Sequence, residues 1–410
     1  MKNSYMRPTI ICSLQIIGND IRCSMEKRNC LMINYIIPII CGFTAANMYY
    51  VQPLAPMISN ELMIPYVKAS MLYSFSLIGN ALSLFFIIPL GDFYNKKLLI
   101  TLLYTVSTLA LLIFSITKSY YILSTTALLI GIGTSAIPLI TAGLSKQNDG
   151  TRIIGRIMAC VLTGILFSRF LSSLLSEMWG WKSIYAIATI LMLLSSLLLF
   201  FNYPEPQNRK YQVQESYNHI LYLNISSLSQ NTIIMHYCLS AFFIMFLFSA
   251  FWSNVSIYLS TVFHLSQSQI GFFSLTGVAG ASSALFSPVI LKSINYKDNA
   301  LYFLIVVALV IMGFFRSLLA IAVIGALLID ALIQLIHINN QRGLFLACNG
   351  NEARAASCYM TSFVTGGAVG GFISSYLYTL YGWNMVLISC AIITLIPMFI
   401  KSRENVNEKY

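Results

Sequence analysis

The chain has 410 residues, 58% hydrophobic and 9% charged, with a formal net charge of +11 at pH 7. Soluble domains carry about 25% charged residues, so a water-soluble fold of this length could not cover its surface; a mean hydropathy of +0.77 agrees. The cationic excess does not point to nucleic acid, because its placement follows membrane topology, as the spans show.

Residues 1–30 form a cytoplasmic leader. Its apolar run at 9–17 is short, and Asn19, Asp20 and Arg22 follow without a small-residue cleavage site, which argues against a signal peptide. Met25-Glu-Lys-Arg-Asn directly precedes the first apolar stretch and makes a natural start. Residues 1–24 are therefore expected to be disordered, or to lie upstream of the true start.

Twelve apolar stretches follow, near 31–56, 68–91, 98–117, 120–144, 153–178, 182–201, 231–260, 269–291, 299–315, 317–339, 355–380 and 384–400. Each is close to the ~20 residues that cross a hydrocarbon core as a helix. The ninth and tenth share one apolar run and must turn sharply near Gly313–Ser317. Expected units are a six-helix bundle at 31–201, a central cytoplasmic loop at 202–230, a second bundle at 231–400 and a tail at 401–410. Within the loop, Tyr203-Pro-Glu-Pro-Gln-Asn-Arg-Lys210 ends span 6, and 215–229 reads equally as an interfacial helix or a plain loop.

With the amino terminus in the cytoplasm, 19 of the 24 Lys and Arg residues fall on the cytoplasmic side. Four lie outside (Lys68, Lys118, Lys182 and Arg316) and Arg169 lies within the membrane. That asymmetry places both termini in the cytoplasm. The nine cysteines show no metal-ligand spacing and no Cys-x-x-Cys pair, so they read as reduced, structural residues.

The two halves repeat each other. Phe43–Leu54 recurs in outline at Phe248–Leu259, and Ala127-Leu-Leu-Ile-Gly131 returns as Ala326-Leu-Leu-Ile-Asp330. Phe170-Leu-Ser-Ser-Leu-Leu-Ser-Glu-Met-Trp-Gly-Trp181 returns as Phe372-Ile-Ser-Ser-Tyr-Leu-Tyr-Thr-Leu-Tyr-Gly-Trp383. The fold expected is an all-α membrane protein of twelve transmembrane helices in two six-helix pseudo-repeats. Duplicated bundles of this kind are the architecture of secondary transporters, with substrate held between the repeats.

Ionisable groups are rare within membranes, at ~2.5–3.5 kcal/mol each at a helix centre. Only Arg169 and Asp330 fall well inside a span. Asp330, Gln334, His337 and Gln341 form one polar stripe on span 10, which must face a cavity or a partner helix. A carboxylate removed from water can exchange a proton near neutrality, so Asp330 is a proton or substrate group, or else a static polar contact. His337 joins it as a coupling candidate or a structural one. Arg169 needs a carboxylate, backbone carbonyls or an anionic substrate; pairing with Asp330 is one solution and carbonyl satisfaction another. In the matched register Arg169 faces Gly371 and Asp330 faces Gly131, so the shared scaffold demands neither charge.

Asn47, Tyr50 and Gln52 cluster before Pro53 in span 1, with Asn47 and Tyr50 on one face. Polar groups beside a helix break suit a binding site; interhelical hydrogen bonding is the alternative. Trp252 and Asn254 are the counterparts in span 7, and Gln334 completes the substrate candidates. Gly366, Gly367, Gly370 and Gly371 make two small-xxx-small pairs that permit close packing in span 11.

Pro89-Leu-Gly-Asp-Phe-Tyr-Asn-Lys-Lys97 resembles the loop 2–3 signature of the major facilitator superfamily, Gly-x-x-x-Asp-Arg-x-Gly-Arg-Arg. Asp92, Lys96 and Lys97 match it, while Ile88, Phe93 and Asn95 replace the first Gly, the Arg and the second Gly. The resemblance implies a charge clamp at Asp92, Lys96 and Lys97 that holds one conformational state. Ala46-Asn-Met-Tyr-Tyr-Val-Gln-Pro-Leu54 looks like the helix 1 signature of a bacterial efflux-type branch, and Gly164-Ile-Leu-Phe-Ser-Arg169 like its helix 5 motif. The Gly-Pro-rich helix 5 signature of drug–proton antiporters is absent, since this span has no proline.

The function expected is secondary active transport of a small organic solute by alternating access, as proton-coupled export. An uptake symporter or uniporter of the same fold is the alternative. The driving force is the proton gradient, with no cofactor and no metal. The partners are a small-molecule substrate and the bilayer of a bacterial cytoplasmic membrane, with no nucleic acid and a monomeric state. A membrane enzyme is disfavoured: Asp330 has no second intramembrane carboxylate, and there is no His-Glu-x-x-His or Gly-x-Ser-x-Gly motif.

Overall fold

The computed structural model describes residues 31–145, 149–203, 216–230, 232–293, 298–348 and 352–407. The expected leader and its start at Met25 lie outside these residues. No strand occurs among them. The first half comprises α1 (Met32–Glu61), α2 (Tyr66–Asp92), α3 (Lys96–Ile116), α4 (Tyr120–Leu144), α5 (Gly150–Trp179) and α6 (Lys182–Asn202). The second comprises α7 (Thr232–Val262), α8 (Gln267–Ile290), α9 (Asp298–Phe314), α10 (Leu319–Ala347), α11 (Glu352–Tyr381) and α12 (Trp383–Asn407).

Among the described residues nine helices, α1 to α8 and α10, are long and apolar enough to cross a membrane. Two shorter apolar stretches lie in α9 and α12, at Asn299–Phe314 and Trp383–Phe399. The centre of α11 is rich in Gly and Ser instead. The sharp turn expected near Gly313–Ser317 falls between α9 and α10, where the Tyr258 hydroxyl donates to the Arg316 carbonyl. Helix α12 continues through residues 401–407, where a tail was expected.

Polarity is arranged for a lipid surround. Large apolar side chains such as Leu102, Leu109, Ile190, Val289 and Phe303 are exposed, whereas Ser, Thr, Asn and Tyr side chains are buried between helices. In water such a surface would drive association; in lipid it has no such effect, and the buried hydroxyls close onto carbonyls and each other.

The repeat is visible in the way helices end. Gly180 and Gly382 have positive φ, +81° and +76°, and their N–H groups close onto Ser176 and Tyr378 carbonyls at 2.9 and 2.8 Å. A residue with a Cβ is strained there, which explains why both copies keep Gly before Trp. The following Trp181 and Trp383 then each enter an aromatic cluster. Trp181 packs edge-on against Phe114 and Tyr185; Trp383 stacks on Tyr258 at 4.4 Å.

The halves meet along α2 with α11, α5 with α8, and α1 with α7. The α11 glycines let the helix approach both α7 and α2 closely. A Cβ on Gly366 or Gly370 would lie 2.0 or 2.4 Å from a backbone oxygen of α7, while Gly367 and Gly371 approach Leu77 and Ser74 of α2. Residues 217–230 form a helix, resolving the open reading of the central loop in favour of helix. Tyr217 anchors it to the end of α2, donating to the Phe86 carbonyl at 2.8 Å and packing on Phe93.

Candidate functional site

The break in α1 builds the first wall of the site. Pro53 has no N–H for the Tyr49 carbonyl, so an α-helical bond there is impossible. The Gln52 N–H takes that carbonyl at 3.2 Å, and the Tyr49 N–H similarly bonds Ala46 at 3.0 Å. These three-residue closures tighten the helix over Asn47–Tyr50 and turn Tyr49 and Gln52 toward α5. Tyr50 turns the other way, edge-on to Tyr185 at 6.0 Å. Tyr50 thus belongs to the first bundle's aromatic core, while Tyr49 and Gln52 stand on the α5 side.

Arg169 on α5 is 2% exposed, and its Nε donates to Gln52 Oε1 at 2.8 Å. Three rings surround its guanidinium, with centroids at 4.2 Å for Trp252, 5.1 Å for Phe248 and 5.4 Å for Tyr49. Two of these rings come from α7 in the other half. Magnitudes explain how a cation survives here without a salt bridge. Placing it at membrane depth costs about 2.5–3.5 kcal/mol. A desolvated cation–π contact contributes about 2 kcal/mol, and a hydrogen bond to a charged group about 1.5–3 kcal/mol.

Asp330 on α10 is 8% exposed and accepts the Trp252 indole N–H at 3.1 Å. Trp252 therefore stands between the two charges, its face on Arg169 and its edge on Asp330. Direct pairing of Arg169 with Asp330 does not occur. They approach across Gly277: a Cβ there would lie 3.7 Å from Asp330 Oδ2 and 3.8 Å from Arg169 Nη1. Gly280 comes closer still, since its Cβ would lie 2.2 Å from Oδ2. The repeat explains the room. In the first half Gly131 packs on the α2 backbone at Ser76; in the second, a carboxylate stands at that position against two glycines of α8.

The remaining candidates separate. His337 Nδ1 meets the Tyr359 hydroxyl at 3.0 Å, and its ring packs on Phe363 at 4.4 Å, away from the charged pair. Gln334, between them on α10, is half-buried, and Gln341 faces Met360. Asn254 ties α7 to α11, donating to Ser374 at 2.8 Å and to the Ala250 carbonyl at 2.9 Å. The Ser374 bond is interhelical. Asn47 is buried, and its Nδ2 has no partner.

At the end of α2, Asp92 is exposed and makes no ion pair with a described residue. Lys97 lies over the Phe200 ring at 6.0 Å, and Lys96 is half-buried beside Gly91. Phe93, standing where the signature has arginine, packs on Tyr217 instead.

Tyr49, Phe248, Gly277 and Gly280 were not among the sequence candidates. Two carried a legible signal: Tyr49 is three residues from Gln52 and Phe248 four from Trp252, the spacings that share a helix face. The glycines had no such signal, because their role depends on which helix lies opposite.

One end of the bundle is closed by contacts between halves. Ser70 and Ser375 hydroxyls meet at 2.6 Å, Gln267 donates to the Pro53 carbonyl at 2.9 Å, and Tyr66 donates to the Ser253 carbonyl. Glu177 accepts the Ser268 N–H at the same end. A helical bundle with charged side chains buried where its halves meet defines a membrane transporter class.

The Major Facilitator Superfamily model matches residues 39–341, and the chain belongs to that family. It is 29% identical over 373 residues to the uncharacterized transporter YgaY of Escherichia coli O157:H7, covering 89% of this chain and 93% of that one. It is 23% identical over 369 residues to the probable transporter SCO4007 of Streptomyces coelicolor, covering 87% and 83%. Among solved structures, a bacterial homolog of the human lysosomal transporter Spinster, inward-facing and unoccupied, superposes with a TM-score of 0.74 at 11% identity, over 90% of this chain and 96% of that one. The nucleoside transporter NupG gives 0.73 at 13% identity, over 90% and 98%. The chain is thus a multi-pass membrane transporter of the major facilitator type.

Proposed function

We propose that this transporter moves a small organic solute by alternating access and couples that movement to protons at Asp330. The observation that carries the reading is the Arg169–Trp252–Asp330 chain of contacts. It links the two halves through buried charged groups. A proton on Asp330 would remove one charge from that chain, weaken the hold on Trp252 and change the balance between closed and open arrangements. Substrate contacts fall to Asn47, Gln52, Trp252 and Gln334. His337 stands outside this cluster.

The topology we assign has twelve spans, both termini in the cytoplasm and two bundles joined by the helix at Tyr217–Gln230. The protein would act as a monomer in a bacterial cytoplasmic membrane. The positive-inside distribution of Lys and Arg supports this orientation. The contacts around Ser70 and Ser375 would then lie on the outer side, leaving the site to open inward.

The helix 1 resemblance favours proton-coupled export. The position of Arg169 supports the second reading, cotransport. A negative solute settling on Arg169 would compete with Asp330 for the same cation and favour a proton on the carboxyl, so both would travel together. The test is a solute screen in proteoliposomes with an imposed proton gradient, comparing wild type with Asp330→Asn. The variant should lose gradient-driven movement while still exchanging solute down its own gradient. Full gradient-driven transport by Asp330→Asn would refute the coupling role. The sign of the gradient that drives accumulation separates export from cotransport.

A further inference from the structure

Three buried nitrogens around the α1 break lack hydrogen-bond partners: Asn47 Nδ2, Gln52 Nε2 and Arg169 Nη2. All three are donors. For Gln52 the assignment is forced, because arginine can only donate; its Oε1 must face Arg169, and the free atom must be the NH₂. The residues are 3%, 1% and 2% exposed, so these are donors withheld from water, which is unfavourable until an acceptor meets them.

The guanidinium keeps one nitrogen, Nη2, without an acceptor. Aromatic rings of Trp252, Phe248 and Tyr49 gather round it, and Gln52 takes one N–H. An in-plane acceptor with two oxygens fits that edge, which is the geometry of a carboxylate on arginine. A cationic ligand finds no equivalent. Asp330 already accepts from Trp252, and Gly280 crowds its second oxygen.

We propose that the transported solute is a small organic carboxylate, its oxygens docking on Arg169 and Gln52 and its apolar body lying against Trp252, Phe248 and Tyr49. Asn47 supplies a further donor from the same α1 segment. The donors are sealed in this conformation, so the solute reaches them when the halves separate. In that respect the proposal rests on alternating access as the working cycle.

The experiment is equilibrium binding to the full chain in lipid nanodiscs without any gradient, by calorimetry. The probes are acid and amide pairs of matched shape: benzoate with benzamide, isovalerate with isovaleramide, and octanoate with octanamide. We expect at least one acid to bind at least about tenfold more tightly than its amide, a difference of about 1.4 kcal/mol. Arg169→Gln should abolish the preference. Gln52→Glu keeps a partner for Arg169 but replaces the free donor with an acceptor, so it should abolish the preference while the protein remains folded and monodisperse. Equal binding of acid and amide, no acid binding in any pair, or a preference that survives both variants would overturn the proposal. Acid binding without movement in proteoliposomes would instead count against the transport reading alone. Gradient-driven movement of neutral or cationic solutes only would count against the carboxylate alone.

Discussion

Trp252 does two jobs with two parts of one side chain: its face lies on Arg169 and its N–H holds Asp330. Trp252→Phe should separate them, keeping an aromatic face while removing the donor. The expected outcome is a transporter that still binds solute but responds less to the proton gradient, read as a ratio of gradient-driven to exchange flux in proteoliposomes. Trp252→Ala should lose both properties, because Arg169 would lose its 4.2 Å ring and the about 2 kcal/mol that a desolvated cation–π contact contributes. Arg169 and Asp330 were legible as candidates because charges at membrane depth are rare. Their relation was not. Spacing on α5 and α10 says nothing of an indole from α7 lying between them.

At the scale of elements, α1 shows how a single residue moves a site. Pro53 diverts the Tyr49 carbonyl onto Gln52 and shifts which face carries which side chain. Pro53→Ala restores the missing donor and removes a helix breaker worth about 3 kcal/mol in an exposed helix interior. Its thermal midpoint in detergent should stay level or rise, while transport falls because Gln52 turns from Arg169. A variant that transports normally would show that the break is not needed for the site. The break was readable from Pro53 in the sequence, yet its consequence was not: nothing local to α1 showed that Tyr49 and Gln52 would meet Arg169 of α5. Helix ends were more readable. Gly180 and Gly382, each followed by Trp, recur at the same place in both copies, and both adopt the positive φ that favours glycine.

Across the whole molecule, one end of the interface between halves is closed by small polar side chains, with Ser70 and Ser375 hydroxyls 2.6 Å apart. Replacing both, Ser70→Cys with Ser375→Cys, should give a pair that an oxidant cross-links. Transport should stop on oxidation and return on reduction, with wild type under the same oxidant as the control for its native cysteines. Continued transport by the fully cross-linked protein would show that this end does not open during the cycle. The serines could not be paired from the sequence, because they lie in different halves and nothing local joins them. Composition, the positions of the cationic residues and the internal repeat were enough to establish a duplicated helical membrane protein, since the bilayer demands long apolar helices wherever a chain crosses it. Those features also singled out Arg169 and Asp330, because lipid makes charge rare. What only the tertiary structure decided is how that charge is held: by aromatic faces and one amide, with the carboxylate set apart behind an indole. Such contacts join α1, α5, α7, α8 and α10, and they exist only after the two halves have packed together.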